Sequence, residues 1–289
     1  MDSLVLHDTT KAQLDHFLAA PSHAVLLAGP DGIGKTAIAE ALISALLRIA
    51  TDKLSQHPQY SVVRADSSSI SIEAIRTLQK FLQLKTIGTD PLRRAVIVEH
   101  AQALTVEAQN AFLKLLEEPP ADTVIILTVD SPRSLLPTIR SRTQVITISA
   151  PTQAQTTALM AASGKDEATQ RQAYFLSGGL PGLLSALLDG DEAHPLLQSV
   201  GQAKALLSQT TFERLAQVDA LSKQKESAIG VVSALERIAE AMVSQAAAKG
   251  DAARIKQWHR IRKGALSARE GLEHSANAKL TLSNLFLHL

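Results

Sequence analysis

The run Gly29-Pro30-Asp31-Gly32-Ile33-Gly34-Lys35-Thr36 brings together the residue types that phosphate chemistry needs, at the spacing it needs. Its glycines let the backbone curl so that successive N–H groups converge on an anion. Lys35 then reaches the outer phosphates of a nucleotide, and the Thr36 hydroxyl holds a magnesium ion. A chance glycine-rich turn would carry the same letters, so context decides between the two. The apolar run Ala24-Val25-Leu26-Leu27-Ala28 precedes the loop, and Ala37-Ile38-Ala39-Glu40-Ala41-Leu42-Ile43 follows it with helical spacing. Strand, loop and helix in that order aim the positive end of the helix dipole at the anion.

Later positions complete a candidate site. Glu99 ends the apolar run 94–98, where phosphate-loop proteins keep the carboxylate that serves hydrated magnesium. Thr128 follows the run 124–127, where a polar side chain senses the outer phosphate. Ser141-Arg142 come after a short helix, on a surface that would face a neighbouring subunit; the plainer reading of Arg142 is a surface salt bridge.

The elements that must position these residues can be read from period and punctuation. An extended entry at 4–6 leads to a helix from about Thr10, with Leu14, Phe17 and Leu18 on one face. The helix after the phosphate loop is expected to run to about Leu54, because Ile38, Leu42, Leu46 and Ile49 keep its period, and His57-Pro58 ends it. A strand at 60–63 and a polar run at 66–71 follow, then a helix carrying Ile75, Leu78 and Leu82, and a loop bounded by Gly88 and Pro91. The strand at 94–98 leads to a helix from about Thr105 with Ala108, Phe112, Leu115 and Leu116 inward, stopped by Pro119-Pro120. Strands at 124–127 and 145–148 flank a short helix at 132–139. Alternation of this kind predicts an α/β fold with a parallel sheet covered on both faces. From Pro151 the strand signal stops. Short helices at 152–190 surround the turn Gly178-Gly179-Leu180-Pro181-Gly182, and from about His194 an Ala/Leu-rich helical region runs to the end, with breaks expected at Gly250, Gly264 and Gly271.

Composition agrees. Of 289 residues, 45% are apolar and only 3% aromatic, which favours helices on a modest sheet over an all-β design. The 29 basic and 28 acidic side chains nearly cancel, so no bulk field draws the molecule to nucleic acid. The absence of cysteine excludes disulfides and thiolate zinc sites, and the nine histidines show no ligand spacing. With no long apolar run and no basic-then-apolar leader, the expectation is a soluble, cytoplasmic protein with no membrane partner.

Six stretches together resemble one family, the AAA+ clamp-loader subunits of bacterial replicative DNA polymerase III. They are GPDGIGKT at 29–36, VIVEHAQALT at 96–105, NAFLKLLEEPP at 110–120, LLPTIRSRT at 135–143, GGLPG at 178–182 and AKLTLSNLFLHL at 278–289. The resemblance implies a RecA-like AAA+ nucleotide-binding domain at 1–150, a small helical lid at 151–192 and an all-α collar at 193–289 that oligomerises into a ring. It implies ATP or ADP with magnesium at Gly29, Pro30, Asp31, Gly32, Ile33, Gly34, Lys35 and Thr36, with Glu99 as a second metal residue and Thr128 as first sensor. Ser141-Arg142 match the arginine-finger motif, with Thr143 in place of its cysteine. A finger works by charge: phosphoryl transfer spreads negative charge over the equatorial oxygens, and a guanidinium from outside neutralises it.

The motor pattern is incomplete. Competent members end their second motif with Asp-Glu, where this chain has Glu99-His100, and a neutral imidazole is a weak handle on water beside magnesium. Active members also carry an arginine just past the lid turn, where Leu183-Leu184 stand here. The family's four-cysteine zinc module is absent. This set suits a delta-prime type of subunit, which binds nucleotide, hydrolyses it poorly or not at all, and lends Arg142 to a neighbour. Its implied partners are the gamma/tau and delta subunits, the sliding clamp and primer-template DNA. The alternative is an ATP-hydrolysing motor subunit of the gamma/tau type, or another AAA+ ATPase. A free-standing kinase or GTPase would leave Arg142 and the helical tail without a purpose. For DNA contact the candidates are 67–76 and the basic set Arg254, Lys256, Arg260, Arg262 and Lys263; a solvated basic face is the plainer reading of the second.

Overall fold

The computed structural model describes residues 4–66, 69–86, 89–190, 195–273 and 276–289. The chain gathers into two compact units, residues 1–158 and 159–289.

In the first unit, β1 (Ala24–Ala28), β3 (Arg94–Val98) and β4 (Thr123–Val129) are buried at every position. Such unbroken apolar runs belong to parallel strands covered on both faces. With β2 (Tyr60–Val63) and β5 (Gln144–Thr147) they form one parallel sheet in the order β2-β3-β4-β1-β5. Helices α3 (Ile72–Gln83) and α4 (Val106–Glu117) cover one face, packing Ile75, Leu78, Leu82, Phe112 and Leu116 on Leu26, Val96, Val98, Ile125 and Leu127. On the other face α2 (Lys35–Leu47) meets β1, β3 and β4 and buries Ile38, Leu42 and Ile43, while α1 (Asp8–Ala19) packs on α2 and β5 through Leu14 and Phe17. All five strands point the same way, so the loops that leave β1, β3 and β4 emerge side by side at one end of the sheet. Open α/β sheets bind ligands outside those carboxyl ends.

Arg94 opens β3 as a buried cation. Its guanidinium donates to the carbonyls of Leu82 and Leu84 at the end of α3 and stacks 5.3 Å from the centre of the Phe81 ring. Those carbonyls have no partner within the helix, so the arginine serves as the cap.

Three boundaries differ from expectation. Helix α2 stops at Leu47, with Arg48 in the left-handed region at φ 55°, and residues Thr51–Gln56 form a separate 3-10 turn. The Ser44 carbonyl accepts from both Arg48 and Ile49, and its hydroxyl donates to the Ile49 carbonyl, so the apolar period continues through a closed turn. The segment 132–139 is a 3-10 turn at Pro132–Ser134 followed by α5 (Pro137–Arg140), because Pro137 holds Leu136 extended.

From Gln153 onward every described element is helical. Two helices lead, α6 (Gln153–Ala162) and α7 (Glu167–Ser177), and Gly178-Gly179 turn the chain into α8 (Pro181–Asp189). Then come α9 (Pro195–Ser208), α10 (Thr211–Ser222), α11 (Lys225–Ala248), α12 (Ala252–Glu273) and α13 (Ala278–Leu287). Leu176 packs in one core with Leu206, Val232, Leu235, Leu272, Leu282 and Phe286. The third difference lies here: only Gly250 separates helices, while Gly264 and Gly271 lie inside α12. A side chain at Gly264 would meet Leu285 of α13 at 3.4 Å, so this glycine sits at a helix–helix contact. The expected lid–collar boundary at 192/193 lies outside the described residues. Among the described residues no helix is long and apolar enough to cross a membrane.

Candidate functional site

The phosphate loop leaves β1 under tight constraint. Gly29 donates to the Val129 carbonyl at 3.1 Å, and a Cβ on it would lie 3.2 Å from both Cβ and O of Ile148. A side chain there would push β5 away. Gly34 lies at φ 95°, which other residues rarely adopt, and it caps α2 without a side-chain acceptor. The first N–H groups of α2 therefore lack a side-chain cap, the condition under which a helix start accepts an anion.

Lys35 opens α2 with its side chain only 5% exposed. Its ammonium donates to the Gly29 carbonyl at 2.7 Å, to Asp130 Oδ1 at 2.7 Å and to Asp31 Oδ1 at 3.3 Å. A lysine has three donors, and all three are engaged within the chain. Asp130 was not a sequence candidate. It lies 95 residues from Lys35, and only the pairing of Ala28 with Val129 across β1 and β4 sets it beside Gly29. The legible signal was an acid directly after a buried strand. Its other oxygen accepts from Gln102 Nε2 at 2.8 Å.

The two carboxylates diverge in acidity. Burial would raise Asp31, but Lys35 and His100 outweigh it and its pKa falls. Burial and then the Asp31 charge push Asp130 upward against the pull of Lys35. Among the described residues, Asp31, His100 and Asp130 form an exposed group whose ligand atoms all lie within 4.8 Å of one another. His100 is left-handed at φ 47°, and its Nδ1 is 3.9 Å from Asp31 Oδ1.

The other sequence candidates disperse. Thr128 is 1% exposed, and its hydroxyl accepts from the His100 N–H at 3.0 Å, which ties β4 to the turn after β3. Thr36 is half-buried beside Lys35, and Pro30 and Asp31 are exposed at the loop tip. Glu99 is held by Arg64, whose Nε and Nη2 each reach one of its oxygens at 2.9 Å. Glu40 and Tyr60 stand near that pair. Burial and Glu99 raise Glu40, while burial followed by Glu40 and Glu99 raises Tyr60 to about 12. The structure thus gathers Lys35, Asp31, Asp130 and His100 into one group and places Glu99 in another.

Arg142 follows α5. Its Nη1 donates to the Thr138 carbonyl at 3.1 Å and its Nη2 pairs with Glu117 at 2.8 Å, with the arginine side chain 36% exposed. Ser141 Oγ donates to the same Thr138 carbonyl at 3.1 Å, and Thr143 Oγ1 donates to the Arg140 carbonyl at 3.2 Å. In the second unit Leu183 and Leu184 are fully buried, so apolar packing fills the positions after the glycine turn. Of the candidate DNA contacts, Ser67 and Ser68 lie outside the described residues, while Ser71 caps α3 and Arg76 pairs with Glu73 at 3.5 Å. On α12, Arg254 pairs with Asp251 and Arg262 with Glu240, and Lys256, Arg260 and Lys263 are exposed.

The backbone here fits a phosphate, because the glycine geometry and the uncapped start of α2 are in place. The side-chain charges that would serve phosphate and metal are each met by a group of the chain itself. A parallel sheet in this order with a glycine-rich loop after β1, followed by a helical region, defines a RecA-like α/β fold. In solved structures the same fold occurs in a DNA polymerase III gamma subunit-related protein from Thermotoga maritima, with a TM-score of 0.54 and 18% identity over 97% of this chain and 98% of that one. The family described as DNA polymerase III, delta subunit, matches residues 10–152. The DNA polymerase III subunit delta' of Pseudomonas aeruginosa is 34% identical over 210 residues, which are 66% of this chain and 63% of that relative. The subunit delta' of Bacillus subtilis is 31% identical over 138 residues, or 43% and 41% of the two chains. The chain thus spans less than two thirds of the length of these relatives.

Proposed function

We propose that this chain is a delta-prime-like subunit of a replicative clamp loader, working in a ring with gamma/tau and delta subunits to load a sliding clamp on primer-template DNA in the cytoplasm. It binds ATP or ADP with magnesium on the loop 29–36, hydrolyses it poorly or not at all, and presents Arg142 to a neighbour's nucleotide. The observation that carries this reading is His100. It follows β3 beside the Lys35 group, where a motor needs a carboxylate to polarise water, and its ring has a charged neighbour in Asp31. When nucleotide is bound, Thr36 and Glu99 would hold its magnesium, which would neutralise phosphate charge. Glu99 must first part from Arg64. Residues 151–192 serve as the lid and residues 193–289 as the collar.

Arg142 supports the in-trans half of the proposal by its holding. It sits on the surface, and a 2.8 Å pair with exposed Glu117 is exchangeable, since such pairs contribute only about 0–1 kcal/mol. The test is an ATPase assay on the isolated chain beside reconstitution with the other loader subunits. Turnover of the wild type should not exceed that of Lys35→Ala. Arg142→Ala should lower hydrolysis at the neighbouring site it serves by about 10³-fold. Robust turnover by the isolated chain that Lys35→Ala removes would overturn the non-motor assignment, and normal clamp loading by Arg142→Ala would overturn the finger.

A further inference from the structure

We propose that Asp130 acts as an internal stand-in for a nucleotide phosphate: its carboxylate takes the Lys35 donor that a phosphate needs, and nucleotide binds the loop only by displacing it. The inference rests on the nucleotide-binding reading of 29–36 and adds the residue that sets its affinity.

Lys35 is the one side-chain cation of the loop, and its ammonium has no donor left once Gly29, Asp130 and Asp31 are counted. The Asp130 contact is short at 2.7 Å and joins opposite charges. It is also positioned from its far side, because Gln102 donates to the second carboxylate oxygen at 2.8 Å. This bond is therefore the middle of a chain, Gln102 to Asp130 to Lys35, that spans the turn after β3, the end of β4 and the start of α2. Asp31 adds a second carboxylate at 3.3 Å, with His100 Nδ1 3.9 Å away on its other side.

An incoming phosphate meets two carboxylates around the ammonium, where an undefended loop would offer the ammonium alone. It must replace a hydrogen-bonded ion pair and stand beside the carboxylates it displaces, and like charges at such distances repel strongly. The Arg64–Glu99 pair repeats the pattern, with a guanidinium of the chain on the carboxylate that would serve the metal. Lys35 and Glu99, the cation and the carboxylate that would meet phosphate and metal, are thus each paired within the chain.

The experiment is calorimetric titration of the full chain with ADP and, separately, with pyrophosphate, which carries the phosphate chemistry and no base. Asp130→Asn keeps the shape of the side chain and removes its charge, and Asp130→Ser serves as the second variant should the first fold poorly. Both ligands should bind Asp130→Asn at least about tenfold more tightly than wild type, with the gap narrowing as salt rises. Gln102→Ala, which releases the positioning contact, should move affinity the same way by less. In a Lys35→Ala background the Asp130 substitution should have a much smaller effect, which a merely structural role would not produce. Binding by Asp130→Asn equal to or weaker than measurable wild-type binding would overturn the stand-in and leave the nucleotide site standing. No saturable binding of either ligand to any variant would overturn both.

Discussion

At the scale of single residues, charge at this sheet end is governed by who neighbours whom in space. Glu99 and His100 are adjacent in the chain, yet one joins Arg64 and the other lies near Asp31. Residues that follow a strand alternate between its faces, and the left-handed turn at His100 sends the chain back over β4. The Arg142–Glu117 pair is the simplest to test. Both side chains are over a third exposed, so Glu117→Gln should change unfolding free energy by less than about 1 kcal/mol in urea titration. A loss well above that would mean that the pair is structural and that Arg142 is not free to leave it. The motif 29–36 was readable because its chemistry is local. Asp130 was not, since no local pattern links it to a lysine 95 residues away.

At the scale of elements, polar groups at strand starts hold the sheet's other end. Arg94 is 2% exposed and caps the carbonyls of Leu82 and Leu84, so Arg94→Ala should cost about 2–4 kcal/mol by leaving buried acceptors without a donor. Arg94→Lys should recover little, because an ammonium cannot span two carbonyls as a planar fork does. Beside it, Asp122 accepts from Thr86 and from Arg93 Nη2 at 3.2 Å. Burial would raise its pKa, but these hydrogen bonds together bring it below the ordinary value of 3.8. A carboxyl depressed in the folded state adds stability above its unfolded pKa and loses it as pH falls toward the folded one. Unfolding experiments between neutral pH and about pH 3 should therefore show a shallower acid loss for Asp122→Asn than for wild type. Strand and helix identities were legible from period alone, because parallel strands buried on both faces leave unbroken apolar runs. Helix ends were less so: the apolar spacing of Leu46 and Ile49 continues past the last turn of α2, and nothing in it announces that Ser44 closes the helix.

At the scale of the whole molecule, one apolar core of the described residues lies around the sheet and another among the C-terminal helices, with a smaller cluster at Ala173, Leu184 and Leu188. Phe112→Ala should open a cavity in the first, and Phe286→Ala in the second, each costing about 3–5 kcal/mol. Hydrogen exchange should locate the losses separately, in β1, β3 and β4 for Phe112 and in α11 to α13 for Phe286. The glycines of the helical unit show the limit of reading punctuation. Gly250 ends a helix, whereas Gly264 lies at a helix contact, and only the position of Leu285 of α13 distinguishes them.

The sequence by itself determined the phosphate loop and the parallel α/β order, because each is written in neighbouring residues or in a short period along the chain. The tertiary structure alone decided that Lys35 is held by Asp130, that Glu99 belongs to Arg64 and that Arg142 rests on Glu117. The physical reason is that charge pairing depends on distance through space, and strand register sets that distance between residues far apart in the chain.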